Sequence, residues 1–206
     1  IEPLKHMNKK LIKIGVTGSI GMGKTTIINQ INIYKFPTWN SDAIVHILYR
    51  KGNYGYSIIK NLVPEAAKSG HINRNTLSKH IIEKPILLEK IQKLIYPLLE
   101  KNRLEFIKKH SEEKMIFFDI PLLYETKCDV WLDYVIVATA PYEVQKRRVL
   151  SRPSMTEKKF NFILTQQMSD KEKKSKADFI INTDVNKTLL ASNIKFLLEK
   201  IQSEYC

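Results

Sequence analysis

The segment Gly18-Ser19-Ile20-Gly21-Met22-Gly23-Lys24-Thr25 constrains this chain more than any other. It satisfies G-x-x-x-x-G-K-[ST]. It follows Leu11–Thr17, a β-branched run that reads as a buried strand, and opens Thr25–Ile33, where Ile27, Ile28 and Ile31 recur at helical spacing. Strand, glycine loop and helix in that order define a P-loop. Glycines let the backbone wrap phosphates closely and adopt positive φ. The exposed N–H groups and the helix start then form an anion nest. Lys24 reaches the β and γ phosphates and the Thr25 hydroxyl ligates Mg²⁺. The segment marks a user of nucleoside triphosphates.

The remaining pattern predicts an α/β fold: a P-loop NTPase core whose parallel sheet is flanked by helices, with a helical insertion and a lid. Phe36–Trp39, Met115–Asp119, Tyr134–Thr139 and Asp178–Ile181 read as further strands. Asp42–Tyr49, Tyr56–Leu62 and Arg74–Ile82 read as helices. A long helix starts at Pro85 with Leu88, Ile91, Leu94 and Ile95 inward, and Pro97 is expected to kink or break it. A short helix is expected near Asp129, one from Pro141 to about Arg152, one at Glu157–Met168, and a closing amphipathic helix at Val185–Ile201. Residues 10–51, 113–152 and 177–204 are assigned to the core, 52–112 to the insertion and 153–176, polar and flexible-looking, to the lid. Residues 1–6, before Met7, are left out of this reading.

Composition narrows the function classes. The 206 residues carry a net charge of +13, which suits a polyanionic partner. Only six of the 34 basic residues are Arg, and three of those fall at Arg147, Arg148 and Arg152. The two cysteines, Cys128 and Cys206, form no framework or CxxC, which points to a reducing compartment, the cytoplasm. No apolar run approaches the roughly 18 residues of a membrane span. The five histidines show no metal-binding spacing, so no zinc site is expected. A GTPase would need D-x-x-G and N-K-x-D. Asp119 is followed by Ile120-Pro121-Leu122, and Asn186-Lys187 by Thr188-Leu189. No LSGGQ-like segment is present. A small-molecule kinase remains.

Such a kinase needs an acceptor-side base, a carboxylate near the metal and mobile positive charge. Asp42, eighteen residues after Lys24 and just past the second strand, is the candidate base; Ser41 or Asp42 could equally cap the following helix. Asp119 ends an apolar strand and suits a water-mediated Mg²⁺ contact. Arg148 and Arg152, at i and i+4, share a helix face and can take phosphate oxygens.

These motifs resemble the dephospho-CoA kinase family. The resemblance runs from about Lys10 to Ile201 and rests on Gly15–Thr26, Asn40-Ser41-Asp42, Asn73–Leu77 and Asp119-Ile120-Pro121-Leu122-Leu123-Tyr124-Glu125. Gln145, Arg148 and Arg152 match Q-x-x-R-x-x-x-R, and Gln167 and Ala177–Asn182 match later blocks. It departs at Asn40, where the family usually has Asp, and at Tyr96-Pro97, where it usually has His-Pro. The resemblance implies ATP and Mg²⁺ as cofactors and dephospho-CoA as the acceptor. It implies nucleotide contacts from Gly18, Ser19, Ile20, Gly21, Met22, Gly23, Lys24, Thr25, Thr26 and Asn182. Acceptor contacts would come from Thr17, Asp42, Arg74, Tyr96 and Leu122. Metal contacts would come from Thr25 and Asp119, and transfer chemistry from Asp42, Lys24, Arg148 and Arg152. Another P-loop small-molecule or nucleoside monophosphate kinase is one alternative. A nucleic-acid-binding ATPase is the other, and lacks the aromatic–basic interleaving of a stacking platform. No nucleic-acid or membrane partner is expected, and no pattern speaks to oligomeric state.

Overall fold

Five short strands lie in the order β2-β3-β1-β4-β5 in a computed structural model. The structure describes residues 11–68 and 70–205. Residues 1–6, the expected core start at 10, and Cys206 lie outside them. The strands are β1 Ile12–Thr17, β2 Thr38–Asn40, β3 Met115–Asp119, β4 Tyr134–Thr139 and β5 Phe179–Asn182. β1 pairs in parallel with β3 and β4, and β4 with β5. Every residue of β3 is buried, as an apolar run covered on both faces requires.

The chain divides into two compact units, Ile1–Trp39 with His110–Cys206, and Asn40–Lys109. In the first, the helices are α1 Lys24–Ile33, α6 Tyr142–Leu150, α7 Glu157–Thr165, α8 Asp170–Lys176 and α9 Lys187–Tyr205. Its core joins Ile14, Val16, Met115, Phe117 and Ile136 of the sheet to Ile27, Ile28 and Ile31 of α1. Leu190, Ile194, Leu197, Leu198 and Ile201 of α9 complete it. The last five recur at helical spacing in the sequence, which is why they bury together. The expected second strand is displaced: Phe36 precedes β2 and packs against this core. The stretch 153–176 forms two helices, and Thr156 and Ser169 cap them through their side chains.

The second unit is helical: α2 Ser41–Leu48, α3 Tyr54–Leu62, a 3₁₀ turn at Pro64–Ala67, α4 Arg74–Glu83 and α5 Ile86–Lys109. Tyr56, Ile59, Val63, Ala66, Leu77, Ile91 and Ile95 form its core. The Tyr56 hydroxyl donates to the Ala67 carbonyl at 3.0 Å. Of the kink or break expected at Pro97, the break does not occur, and the inward face of α5 differs from the one expected. The helix runs through Pro97 without a break. A proline removes a single i→i−4 bond, and here the residue lies after the buried anchors Ile91 and Ile95. Leu88 and Leu94 stay 42% and 47% exposed, because the inward stripe runs through Leu87, Ile91, Ile95, Leu98 and Leu99 instead.

Candidate functional site

The phosphate loop follows from β1 ending at Thr17 and α1 starting at Lys24. Two of its glycines are sterically fixed. Gly23, the N-cap of α1, has φ 87°, and a Cβ there would meet Thr183 Oγ1 at 2.6 Å. Gly21 has φ 79°, and a Cβ would meet Val149 Cγ2 at 2.5 Å. No L side chain tolerates both the backbone angle and the crowding.

The two halves of the loop differ in their hydrogen bonding. In the first half, the Ile20 amide donates to Gln167 Oε1 at 3.0 Å, and the Ile20 carbonyl accepts from Gln145 Nε2 at 2.7 Å. The Met22 amide donates to the Ser19 carbonyl at 3.1 Å. The amides of Gly21, Gly23, Lys24 and Thr25 have no protein acceptor among the described residues. For Lys24 and Thr25 that is the orphaned first turn of a helix. These open amides are available to an oxyanion. Ser19 and Met22 are buried, and Met22 Sδ accepts from the Ala140 amide at 3.2 Å, so the Met22 side chain belongs to the core.

Register brings the carboxylate to the loop. Val16 pairs with Asp119 across β1 and β3, and Lys24 Nζ forms an ion pair with Asp119 Oδ1. Asp119 is 5% exposed, so the pair sits in a medium that strengthens it. The Thr17 hydroxyl, expected at the acceptor, donates to the Pro121 carbonyl at 3.0 Å and so shapes the loop after β3. Leu122 in that loop is exposed. Thr25 and Thr26 are exposed at the first turn of α1.

Arg148 is anchored. Its guanidinium donates to Thr183 Oγ1 at 2.9 Å and to the Thr183 carbonyl at 2.8 Å. Thr183 Oγ1 in turn donates to the Met22 carbonyl at 2.8 Å. Arg148 thus reaches the phosphate loop through one hydroxyl. Arg152 follows α6, with an exposed side chain. Asn182 Oδ1 accepts from the Asp184 amide at 2.9 Å and forms the turn after β5.

In the helical unit, Asp42 is the second residue of α2 and exposed. Asn40, rather than Ser41 or Asp42, caps α2, its Oδ1 accepting from the Ala43 amide at 2.7 Å. Asn and Asp cap about equally well, so this position tolerates the departure from the family pattern, and capping makes no demand on Asp42. Arg74 starts α4 and is exposed; its charge opposes the upward push that burial exerts on the Tyr49 phenol. Tyr96 lies on α5, half-exposed.

Sequence reasoning gave no site role to Gln145, Gln167, Thr183, Glu125 or Lys173. Lys173 sits in the run Lys171-Glu172-Lys173-Lys174, which reads as a solvated face, yet it is 0% exposed and its Nζ lies 2.9 Å from Glu125 Oε1. No local signal in that run singles it out. Tyr124, beside Glu125, is buried, and its phenol is pushed up to about 12, first by burial and then by the charges of Asp178 and Asp129. The Ser169–Glu172 capping box holds the Glu172 carboxyl below its ordinary value.

A parallel sheet, a glycine loop with open amides and a Lys–Asp pair joining the start of α1 to the end of β3 define a P-loop nucleotide-binding fold. The comparisons are specific about which. The family model described as CoaE, dephospho-CoA kinase, matches residues 12–188. A protein named dephospho-CoA kinase from Rhizobium meliloti (strain 1021) is 33% identical over 195 residues, 94% of this chain and 100% of that one. Another of that name from Bartonella quintana (strain Toulouse) is 40% identical over 172 residues, 82% and 88% of the two chains. Among solved structures, TT1252 from Thermus thermophilus matches with a TM-score of 0.81 at 26% identity, covering 93% of this chain and 98% of that one. The dephospho-CoA kinase from Campylobacter jejuni shares the fold with a TM-score of 0.64 at 24% identity, covering 93% and 97%. The chain belongs to the dephospho-CoA kinase family.

Proposed function

We infer that this chain moves the γ-phosphoryl of ATP onto the 3′-hydroxyl of dephospho-CoA, giving ADP and coenzyme A, the last step of coenzyme A biosynthesis. One observation carries the reading. The family match covers residues 12–188 and so takes in the phosphate loop, the Asn40–Asp42 turn and the loop after β3 together.

The residue roles proposed here rest on the family resemblance and on the chemistry of the side chains. The open amides of Gly21 and Gly23–Thr25, with Lys24, bind and orient the phosphates. Asp42 accepts the proton of the 3′-hydroxyl as its oxygen bonds to the γ-phosphorus and the bond to the β,γ-bridging oxygen breaks. Lys24, Arg148 and Arg152 supply positive charge to the transferring group, Arg148 from the position Thr183 fixes. Thr17, Arg74, Tyr96 and Leu122 are assigned to the acceptor, Thr26 and Asn182 to the nucleotide. We assign 52–112 to acceptor binding and 153–176 to a lid that excludes water.

The donor set fits Mg²⁺. A hydroxyl at Thr25 and a carboxylate at Asp119 are oxygen donors, and no three His, Cys, Asp or Glu side chains gather into a metal cluster among the described residues. Mg²⁺ favours such sparse protein ligation, keeping phosphate oxygens and waters in its shell. When bound it supplies charge neutralisation on the β,γ-phosphates. Among the described residues no helix is long and apolar enough to cross a membrane; the cysteine usage leads us to place the chain in the cytoplasm.

The test is an acceptor panel with ATP and Mg²⁺, read by ADP release and product mass. Dephospho-CoA is expected to be phosphorylated and shikimate and nucleoside monophosphates to be inert. No product from dephospho-CoA overturns the reading.

A further inference from the structure

The first half of the phosphate loop is held from outside, from α6 and from the stretch 153–176. Gln167 sits between α7 and α8 and accepts the Ile20 amide at 3.0 Å. Gln145, buried on α6, takes the Ile20 carbonyl. Both polar groups of one residue are thus committed to protein, and the donors left over are those that face a phosphate.

Gln167 is itself held. The amide of the next residue, Met168, donates to Glu125 Oε1 at 2.8 Å. Lys173 Nζ, fully buried in α8, lies 2.9 Å from the same oxygen. Glu125 Oε2 is buried and lacks a hydrogen-bond partner among the described residues, so the carboxylate engages through Oε1. Ser169, next along, caps α8 in a capping box with Glu172, which fixes the turn between Met168 and Lys173. Glu125 lies six residues after Asp119, the partner of Lys24. The contacts close a ring: Lys24 to Asp119, along the chain to Glu125, across to Met168 and Gln167, and back to Ile20.

We propose that Gln167 is a positioning residue of the nucleotide site, its side-chain oxygen fixing the Ile20 peptide, and that Glu125 positions Gln167 by holding the Met168 amide and the Lys173 ammonium. The inference rests on the kinase reading. Gln167 supplies the acceptor and Gln145 the donor that together set the orientation of the Ile20 peptide. Without the Gln167 oxygen the Ile20 amide turns to seek another acceptor and the neighbouring amides leave their phosphate-facing geometry. Nucleotide affinity falls while acceptor binding stays. A buried ammonium needs its counter-charge, which is why Glu125 and Lys173 act as a pair.

The experiment is a calorimetric titration of ADP into the full chain, with no acceptor present. Gln167→Met keeps the volume and removes the oxygen. It is expected to weaken ADP about tenfold, to leave the KM for dephospho-CoA unchanged, and to shift the nucleotide-free melting temperature by less than about 3 °C. ADP affinity equal to wild type overturns the proposal. So does a parallel loss of ADP affinity, dephospho-CoA KM and melting temperature, which marks a merely structural role. Two double variants isolate Glu125. E125Q/K173M removes both charges but keeps an acceptor for Met168, and is expected to bind ADP close to wild type. E125A/K173M removes that acceptor and is expected to lose ADP affinity as Gln167→Met does. Equal affinity in the two overturns the part assigned to Glu125. A wild-type chain that binds ADP but forms no coenzyme A refutes the proposed function and leaves this inference standing. A wild-type chain that binds no ADP refutes both.

Discussion

The sheet-bearing unit and the helical unit treat their functional side chains in opposite ways. In the first, five side chains near the phosphate loop are tied into protein: Lys24 to Asp119, Arg148 to Thr183, Thr17 to Pro121, Gln145 and Gln167 to Ile20. In the second, Asp42 and Arg74 stand exposed in the first turns of helices. Triphosphate geometry is the same in every turnover, and donors fixed in advance cost no reorganisation when charge develops. An acceptor hydroxyl on a long flexible molecule is met by side chains that can adjust. On the roles proposed above, the sheet-bearing unit would present a preset nucleotide end and the helical unit an adaptable acceptor end.

The largest effect is expected at Asp42. Asp42→Asn should cut turnover by about 10²- to 10⁴-fold while ADP affinity stays at the wild-type value; steady-state kinetics and ADP titration together check it. A fall in both would break the division, since an acceptor-side residue would then be shaping the nucleotide end.

Lys24→Met tests the opposite end. It removes the cation aimed at the phosphates and is expected to lower kcat/KM by about 10²- to 10³-fold. It also removes the cation paired with the buried Asp119 carboxylate, so the melting temperature falls as well. Asp42→Asn, at an exposed site, should leave melting unchanged, and a thermal scan of both variants makes the contrast direct.

The arginines sharpen the comparison within one unit. Arg148→Ala frees Thr183 and leaves the loop's Met22 carbonyl contact unsupported, so it should weaken ADP and lower the melting temperature. Arg152→Ala, at an exposed position, should slow transfer with the melting temperature unchanged. Identical behaviour of the two would show that the Thr183 link has no functional consequence.

The smallest effect is at Tyr124. Its buried hydroxyl lacks a hydrogen-bond partner among the described residues. Tyr124→Phe is therefore expected to be neutral or stabilising by up to about 1 kcal/mol at pH 7. The folded phenol holds its proton to about 12, whereas an unfolded one releases it near pH 10. The folded state binds the extra proton in that interval, so this group's stabilisation is intact below pH 10 and is lost as pH rises toward 12. Chemical unfolding of wild type and Tyr124→Phe across pH 9–11, within about one unit of the ordinary phenol value, should show a shallower alkaline decline in the variant.

The sheet and the phosphate loop were legible because each depends on local pattern. Met115–Asp119 and Tyr134–Thr139 carry continuous apolar runs, and the strands occupy those bounds. The loop's glycines and Lys24 form a contiguous motif. What was not legible depends on contacts between residues far apart in the chain. Nothing local distinguishes buried Lys173 from the lysines beside it, because its burial is set by Glu125, forty-eight residues earlier. Arg148 reads as a free phosphate ligand until Thr183 arrives from β5. Pro97 reads as a break, and its single lost bond is outweighed by the core contacts of Ile91 and Ile95. Asn40 is the reverse case: an apparent loss of a carboxylate that the geometry explains as a helix cap.

The account rests on phosphoryl transfer to one particular oxygen. Incubating the chain with Mg²⁺, dephospho-CoA and ATP labelled with ¹⁸O on the γ-phosphate, then fragmenting the product by mass spectrometry, tests this directly. The account predicts coenzyme A with the labelled phosphoryl group on the ribose 3′-oxygen and unlabelled ADP. Label released only as inorganic phosphate, with dephospho-CoA recovered unchanged, would contradict it.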